Sequence, residues 1–274
     1  MISHSISPAA IYGSIVRNHD LLAQLARRDA FGRYKTSHLG ALWAILTPLA
    51  MLLVYTFVFG YVLVARWPTG AGNDSTKEFA IILFAGLLVF NFFAECVTRA
   101  PTLVISNPSY VNKVVFPLEI LPLVTLLSAL FHLLASAGLL LLAQAVLTGR
   151  VPGHALLLPI ALFPLFMVTL GVMWFLAALG VYLRDVGQFV GMIVTPLMFM
   201  SPIFFPLEAV PEAYRWLMHL SPLTFAVEVT RDILVFDRMP NVGSWLIYAG
   251  ICAAVMSAGF GWFQYTRRGF ADVL

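Results

Sequence analysis

Six stretches of this chain, each 16 to 33 residues long, contain no Asp, Glu, Lys or Arg: 36–65, 79–94, 120–149, 151–183, 186–207 and 239–266. A charged residue at a helix centre costs roughly 2.5 to 3.5 kcal/mol to insert into a bilayer, and about 20 apolar helical residues cross one. The second run also continues past a single Glu95. The runs therefore predict six transmembrane helices at about 40–65, 79–97, 120–147, 156–182, 186–204 and 244–263. They leave no room for a second, water-soluble domain, so residues 1–274 read as one all-α polytopic membrane unit. Composition agrees: 61% of residues are hydrophobic and 11% charged, where a soluble domain needs roughly a quarter charged.

Basic residues set the orientation. With the N-terminus inside, the inner segments hold ten of the sixteen Lys and Arg, from Arg17 to Arg268, while the outer segments carry seven of the thirteen acids. The positive-inside rule then places both termini in the cytoplasm and the chain in the cytoplasmic membrane. The net charge of +3 flanks apolar runs and reads as a topology signal, so nucleic acid is not an expected partner. Cys96 and Cys252 lie too far apart for a CxxC motif and read as apolar fillers. The first twenty residues lack a compact apolar core followed by a small-residue cleavage site, so no cleaved signal peptide is expected.

Three segments outside the runs carry pattern. Residues 11–35 place Ile11, Ile15, Leu22 and Ala26 on one helical stripe with Arg17, Asp20, Arg27 and Arg28 largely elsewhere. This predicts a helix in the cytoplasmic interface, the alternative being a basic flank that only sets topology. Residues 98–119 are long for a connection and are bounded by Pro101 and Pro117, which suits a short helix at the cytoplasmic face. Residues 201–237 carry four prolines, too apolar for an aqueous loop and too broken for one span. A re-entrant pair of short outer helices is expected there, since irregular backbone survives at membrane depth only when buried in protein or lining a cavity.

Much chemistry is missing. There is no HExxH, no GxSxG and no acidic pair inside a run, which argues against a membrane-embedded enzyme, and no metal site is expected. His132 stands alone in its run and reads as a polar contact to a neighbouring helix rather than a proton relay. Without GxxxxGK[ST] the chain has no phosphate-binding loop, so ATP-driven work needs a partner that binds ATP and Mg, and no cofactor is assigned to this chain.

Aromatic residues number 37, and many lie near run ends: Trp43, Tyr55, Phe57, Phe59, Tyr61, Phe90, Phe92, Phe93, Phe204 and Phe205. They read either as an interfacial belt facing membrane lipids or as a smooth track on which sugar rings stack their apolar faces. Gly187 and Gly191 form an isolated GxxxG, a weak sign of a seam within the chain or between two copies. Arg184 and Asp185 sit in a very short connection and read as interface charges that anchor topology.

Several segments together resemble one family, the transmembrane permease subunits of type-two ABC exporters, and within it the branch that exports O-antigen and related cell-surface polysaccharides. The carrying residues are RRDAFGRYKTSHLGALWAILTPLAMLLVYTFVFGYV (27–62), GLLVFNFFAE (86–95), SNPSYVNKVVFPLEILP (106–122), LRD (183–185), SPIFFPLEAVP (201–211), HLSPLTFAVEVTR (219–231) and RRGFADVL (267–274). Their order and spacing cover nearly the whole chain.

The resemblance implies a homodimer working with two copies of an ABC ATPase subunit on a lipid-linked polysaccharide. It implies that 100–113 is a coupling helix docking into the ATPase, with Ser106, Asn107, Pro108, Tyr110, Asn112 and Lys113 at the contact. It makes 203–232 outer gate helices, with Trp43, Tyr55, Phe59, Phe90, Phe93, Phe204, Phe205, Glu228 and Arg231 as channel or gate candidates. Glu95, Glu119, Glu228 and Arg231 fall at family-typical positions and read either as gate or coupling ion pairs or as structural interface charges. The expected function is that of a non-enzymatic permease subunit exporting polyprenyl-linked polysaccharide of the O-antigen type. Teichoic acid, capsule or a small hydrophobic substrate are alternatives, as is a membrane-embedded glycan enzyme.

Overall fold

The computed structural model describes residues 8–32, 39–62, 76–111, 116–149 and 151–273. The described residues form helices and connections, with no strand among them. Two short helices, α1 (Pro8–Arg17) and α2 (His19–Gly32), precede α3 (Trp43–Tyr55), which continues as a π-helical stretch Thr56–Val62. Then come α4 (Thr76–Arg99), α5 (Pro108–Val111), α6 (Ile120–Thr148), α7 (Leu158–Ala161), α8 (Phe163–Tyr182) and α9 (Val186–Phe199). The chain closes with α10 (Glu212–Leu220), α11 (Pro222–Leu234), α12 (Val242–Thr266) and α13 (Phe270–Val273).

Four helical stretches are long and apolar enough to cross a membrane: Glu78–Thr102, Ile120–Thr148, Gly153–Tyr182 and Val242–Val273. They coincide with the second, third, fourth and sixth expected spans, and they make the chain a multi-pass membrane protein. The first and fifth are shorter apolar helices, Trp43–Phe59 and Val186–Phe199. The latter has 14 residues, about 21 Å of helix against a hydrocarbon core of about 30 Å. Both contain a proline, Pro48 and Pro196, which removes a backbone donor mid-helix. Helices α4, α8 and α12 run in one direction and α6 in the other, so one end of the bundle gathers residues 99–111, 116–120, 182–186 and 266–273. This is the inner end, after the orientation read from the sequence.

Helix α4 is the axis. From Phe79 to Phe93 only Asn91 and Gly86 fall outside the buried apolar set, because α6, α8, α9 and α11 all pack around it. The tightest crossing is α8 on α12. A methyl group at Gly259 would lie 2.0 Å from the Gly171 carbonyl oxygen, and one at Gly171 would lie 2.6 Å from Met256 Cα. Only hydrogen at both positions lets the two backbones meet. At Gly187 and Gly191 nothing lies within 4 Å of the added methyl, so among the described residues that GxxxG makes no seam within the chain.

Over the described part of the expected 11–35 helix the chain forms two helices, α1 and α2, and residues 33–35 lie outside the described residues. The two meet at Asn18, whose Nδ2 donates to Ser14 O at 2.8 Å, while the main-chain bonds from Asn18 N–H to Ser14 O at 3.1 Å and from Leu22 N–H to Asn18 O at 2.8 Å still cross the junction. Leu22, Ala26 and Ala30 are buried against α6, so protein covers this apolar stripe. Other boundaries follow local rules. Gly149 ends α6 at φ +69° with its N–H on Ala145 O, a left-handed cap that glycine accepts without strain. The Asn241 side chain accepts from the N–H groups of Gly243 and Ser244 at 2.9 and 3.2 Å and starts α12.

Candidate functional site

At the inner end, α4 turns through a tight 3-10 segment, Ala100–Thr102, into a turn that leads to α5. Ala100, Pro101 and Val104 are buried, and Gly180 of α8 admits the Pro101 carbonyl so closely that a methyl there would sit 2.1 Å from it. The segment is thus pinned from below while its outward face stays open. Ser106, Pro108 and Ser109 are exposed and Asn107 is half-buried, its Nδ2 donating to Leu103 O at 2.9 Å. Tyr110 stacks flat on Phe116, with ring centroids 4.2 Å apart and planes 9° apart. Asn112 and Lys113 lie outside the described residues. A cleft of about 340 Å³ runs beside this segment, walled by Arg28, Asp29, Arg99, Ser106, Asn107 and Tyr110 among others.

Two charge clusters hold the inner end together. In the first, Arg99 of α4 grips Asp29 of α2 with both arms, at 2.9 and 2.7 Å. Glu95, one turn earlier, lies 3.9 Å from Arg99 and 3.1 Å from His132 Nδ1 on α6. His132 is therefore a contact between helices, as its sequence setting suggested, although it is not alone in its surroundings.

In the second cluster, Glu119 is only 9% exposed and divides its oxygens. Ser14 Oγ of α1 donates to Oε1 at 3.0 Å, and Arg267, just past α12, reaches Oε2 at 2.5 Å. The other arm of Arg267 donates to Phe116 O at 3.0 Å, and Trp174 Nε1 of α8 donates to the main-chain carbonyl of Glu119 at 3.0 Å. A carboxylate so buried is stable only with paired charge and filled acceptor sites, and here both conditions are met. By contrast, Arg184 and Asp185 are exposed at the turn between α8 and α9.

The outer end is held differently. Arg231 of α11 is 4% exposed and donates to three backbone carbonyls, Ile82 O at 3.2 Å, Pro202 O at 2.5 Å and Ile203 O at 2.6 Å. It ties α4 and the turn after α9 to α11. Helices α10 and α11 form the expected pair of short helices, joined at Ser221, which hydrogen-bonds Ser201 at 3.0 Å and caps α11 through the Leu223 N–H. Glu228, one turn before Arg231, is half-buried.

Around Phe204 the rings of Tyr55, Phe59 and Phe199 gather at centroid distances of 6.1, 4.9 and 5.4 Å, and Phe79 joins through Phe59 at 6.4 Å. The π-helical stretch after α3 supplies Phe59, a wider turn of the kind that recurs at functional positions. Phe205 is half-buried beside the cluster, and Trp43 is exposed at the start of α3. Phe90 and Phe93, also expected as channel or gate candidates, are buried inside the chain, where the helices surrounding α4 cover them.

Farther out, Asp237 adopts φ +50° while its carboxylate accepts from the His154 N–H at 3.0 Å and lies 2.7 Å from the ring Nδ1. These hydrogen bonds, the backbone one first, hold its carboxyl below the ordinary carboxylate range.

The structure thus brings Tyr55, Phe59 and Phe204 together, and it sets Tyr110 and Glu119 in one connected region. Sequence reasoning missed Asp29, Ser14, Trp174 and the pairing role of Arg267. The signal available for Arg267 was only its place after an apolar run, which topology rules explain equally well.

The family described as "ABC-2 type transporter" matches residues 20–235. The O-antigen export system permease protein RfbA of Klebsiella pneumoniae is 26% identical over 93% of this chain and 95% of that protein. The RfbA permease of Myxococcus xanthus is 26% identical over 92% of this chain and 94% of its own length. The polysialic acid transport protein KpsM of Escherichia coli is 26% identical over 76% of this chain and 77% of that protein. With most of its length matched and its apolar helices arranged in one bundle, the chain belongs to the ABC-2 type transporter family.

Proposed function

We propose that this chain is the permease subunit of an ATP-driven exporter that moves polyprenyl-linked polysaccharide of the O-antigen type outward across the cytoplasmic membrane. The observation that carries the reading is the near end-to-end similarity to permeases named for O-antigen export, 93% of this chain against 95% of the relative. Two copies of the chain form the pathway, and two copies of an ABC ATPase subunit supply ATP and Mg chemistry. The six apolar helices cross the inner membrane with both termini in the cytoplasm, a reading that the excess of Lys and Arg at that end supports.

In this arrangement α5 and its flanks, from Ser106 through Tyr110 to Lys113, meet the ATPase. The half-open segment pinned at Pro101 suits a part that receives force without unfolding. The ring cluster of Tyr55, Phe59 and Phe204, tied down by Arg231, serves as the outer gate, parting to admit sugar and lipid. A capsule-type polymer is the second reading, favoured by the similarity to the polysialic acid transport protein.

Deleting the gene in its host tests the proposal. Full-length lipid-linked polymer accumulating inside, with a bare surface, is the expected outcome. Unchanged surface polysaccharide would refute it, and a polymer of altered length or composition would point to a glycan enzyme instead.

A further inference from the structure

We infer that Glu119 is a positioning residue through which movement of the coupling segment reaches α1 and α12 together. The inference rests on the permease reading above and names the group that makes the inner end act as one body. The path is continuous. Tyr110 of α5 lies flat on Phe116, the Phe116 carbonyl takes one arm of Arg267, and the other arm holds Glu119. The second oxygen of Glu119 takes the Ser14 hydroxyl from α1. One carboxylate therefore bridges elements 105 and 148 residues away in sequence, in opposite directions.

Two features set this pair apart from an ordinary anchor. The side chains of Arg267 and Glu119 are only 13% and 12% exposed, so water screens the pair little. Arg267 also holds the backbone of the very residue on which α5 rests, so α5 cannot shift without loading the ion pair. The Arg99–Asp29 pair, with side chains 31% and 26% exposed, connects α2 to α4. Hydrophobic packing around Trp174, Phe260, Phe263 and Phe270 already secures α12 and α13 to α8, which leaves transmission as the distinct task of Glu119.

The test uses membrane vesicles containing the full chain and its ATPase partner, and it measures glycan moved and ATP hydrolysed in the same sample. Glu119→Gln and Arg267→Gln are each expected to lower glycan moved per ATP by about tenfold, the size of a typical coupling between sites. Hydrolysis and protein abundance stay near wild type, and the double variant is no worse than either single one. Parallel loss of abundance, hydrolysis and export would overturn the inference in favour of a purely structural role. So would an unchanged ratio, or a double variant whose losses multiply.

Should Glu119→Gln fail to accumulate, Arg267→Lys gives the same reading, because an ammonium keeps the charge yet cannot reproduce the planar two-armed grip. A wild-type ratio in that variant would overturn the inference. Wild-type vesicles that hydrolyse ATP and move no glycan would overturn the permease reading itself and this inference with it.

Discussion

The two ends of the bundle are secured by different physics. At the inner end, helices from remote parts of the chain meet through side-chain ion pairs, Arg99 with Asp29 and Arg267 with Glu119. At the outer end a buried cation, Arg231, holds backbone carbonyls, and rings pack around Phe204. An ion pair has a partner that can be exchanged or pulled away as a unit. A guanidinium gripping three main-chain carbonyls holds the backbone itself, and it gives way only if the turn after α9 moves. The inner end is therefore joined side chain to side chain, and the outer end through main-chain carbonyls that move only with their backbone.

Replacing the outer cation breaks this contrast most severely. Arg231→Met leaves the carbonyls of Ile82, Pro202 and Ile203 buried without their donors and is expected to cost about 3 kcal/mol or more. Thermal unfolding in detergent should show a larger drop for Arg231→Met than for Gly259→Ala or Arg99→Gln, and a melting temperature equal to wild type would show that Arg231 is not the fastener. Next comes the seam that both ends share. Gly259→Ala forces a methyl against Gly171 O and should cost about 1–3 kcal/mol by overpacking. Gly191→Ala, which meets nothing within the chain, should change unfolding by less than about 0.5 kcal/mol. Equal losses would contradict the assignment of the seam.

At the inner end Arg99→Gln is expected to cost only about 1 kcal/mol, because its pair with Asp29 is partly exposed and screened. The loss should shrink in high salt, and a salt-independent loss would mean that packing, not charge, joins α2 to α4. The smallest effect concerns Asp237. A carboxyl whose folded pKa is depressed stabilises the fold above its unfolded pKa, and that contribution vanishes as pH falls through the folded value. Wild type should thus lose stability below about pH 4 more steeply than Asp237→Asn, which lacks the titrating group. Matching pH profiles would remove the His154 contact from the description of the outer end.

Much of the fold was legible because a bilayer demands long apolar helices. Helices α4, α6, α8 and α12 lie where charge-free runs placed them, and the proline-broken region 201–237 does hold two short helices. The junction at Asn18 was hidden, since a polar residue on the exposed side of an amphipathic stripe looks the same whether or not its side chain bonds back to Ser14. The GxxxG at Gly187 and Gly191 drew attention, whereas the crossing that needs glycine uses Gly171 and Gly259, which lie on different helices and have no shared motif. Of the candidate site, Glu119 and Arg231 were singled out only through the resemblance to the exporter family, at whose typical positions they fall. Their partners were not, because Arg267 lies 148 residues from Glu119 and the acceptors of Arg231 are main-chain carbonyls, which no residue type announces.

The most direct test of export is translocation itself. Inside-out membrane vesicles carrying this chain and its ATPase partner, supplied with lipid-linked polysaccharide on their outer surface, should move the polymer into a compartment protected from added glycosidase when ATP is present. Protection should disappear when either subunit is omitted. Protection that is independent of ATP, or that persists without this chain, would contradict the assignment of this protein as the permease.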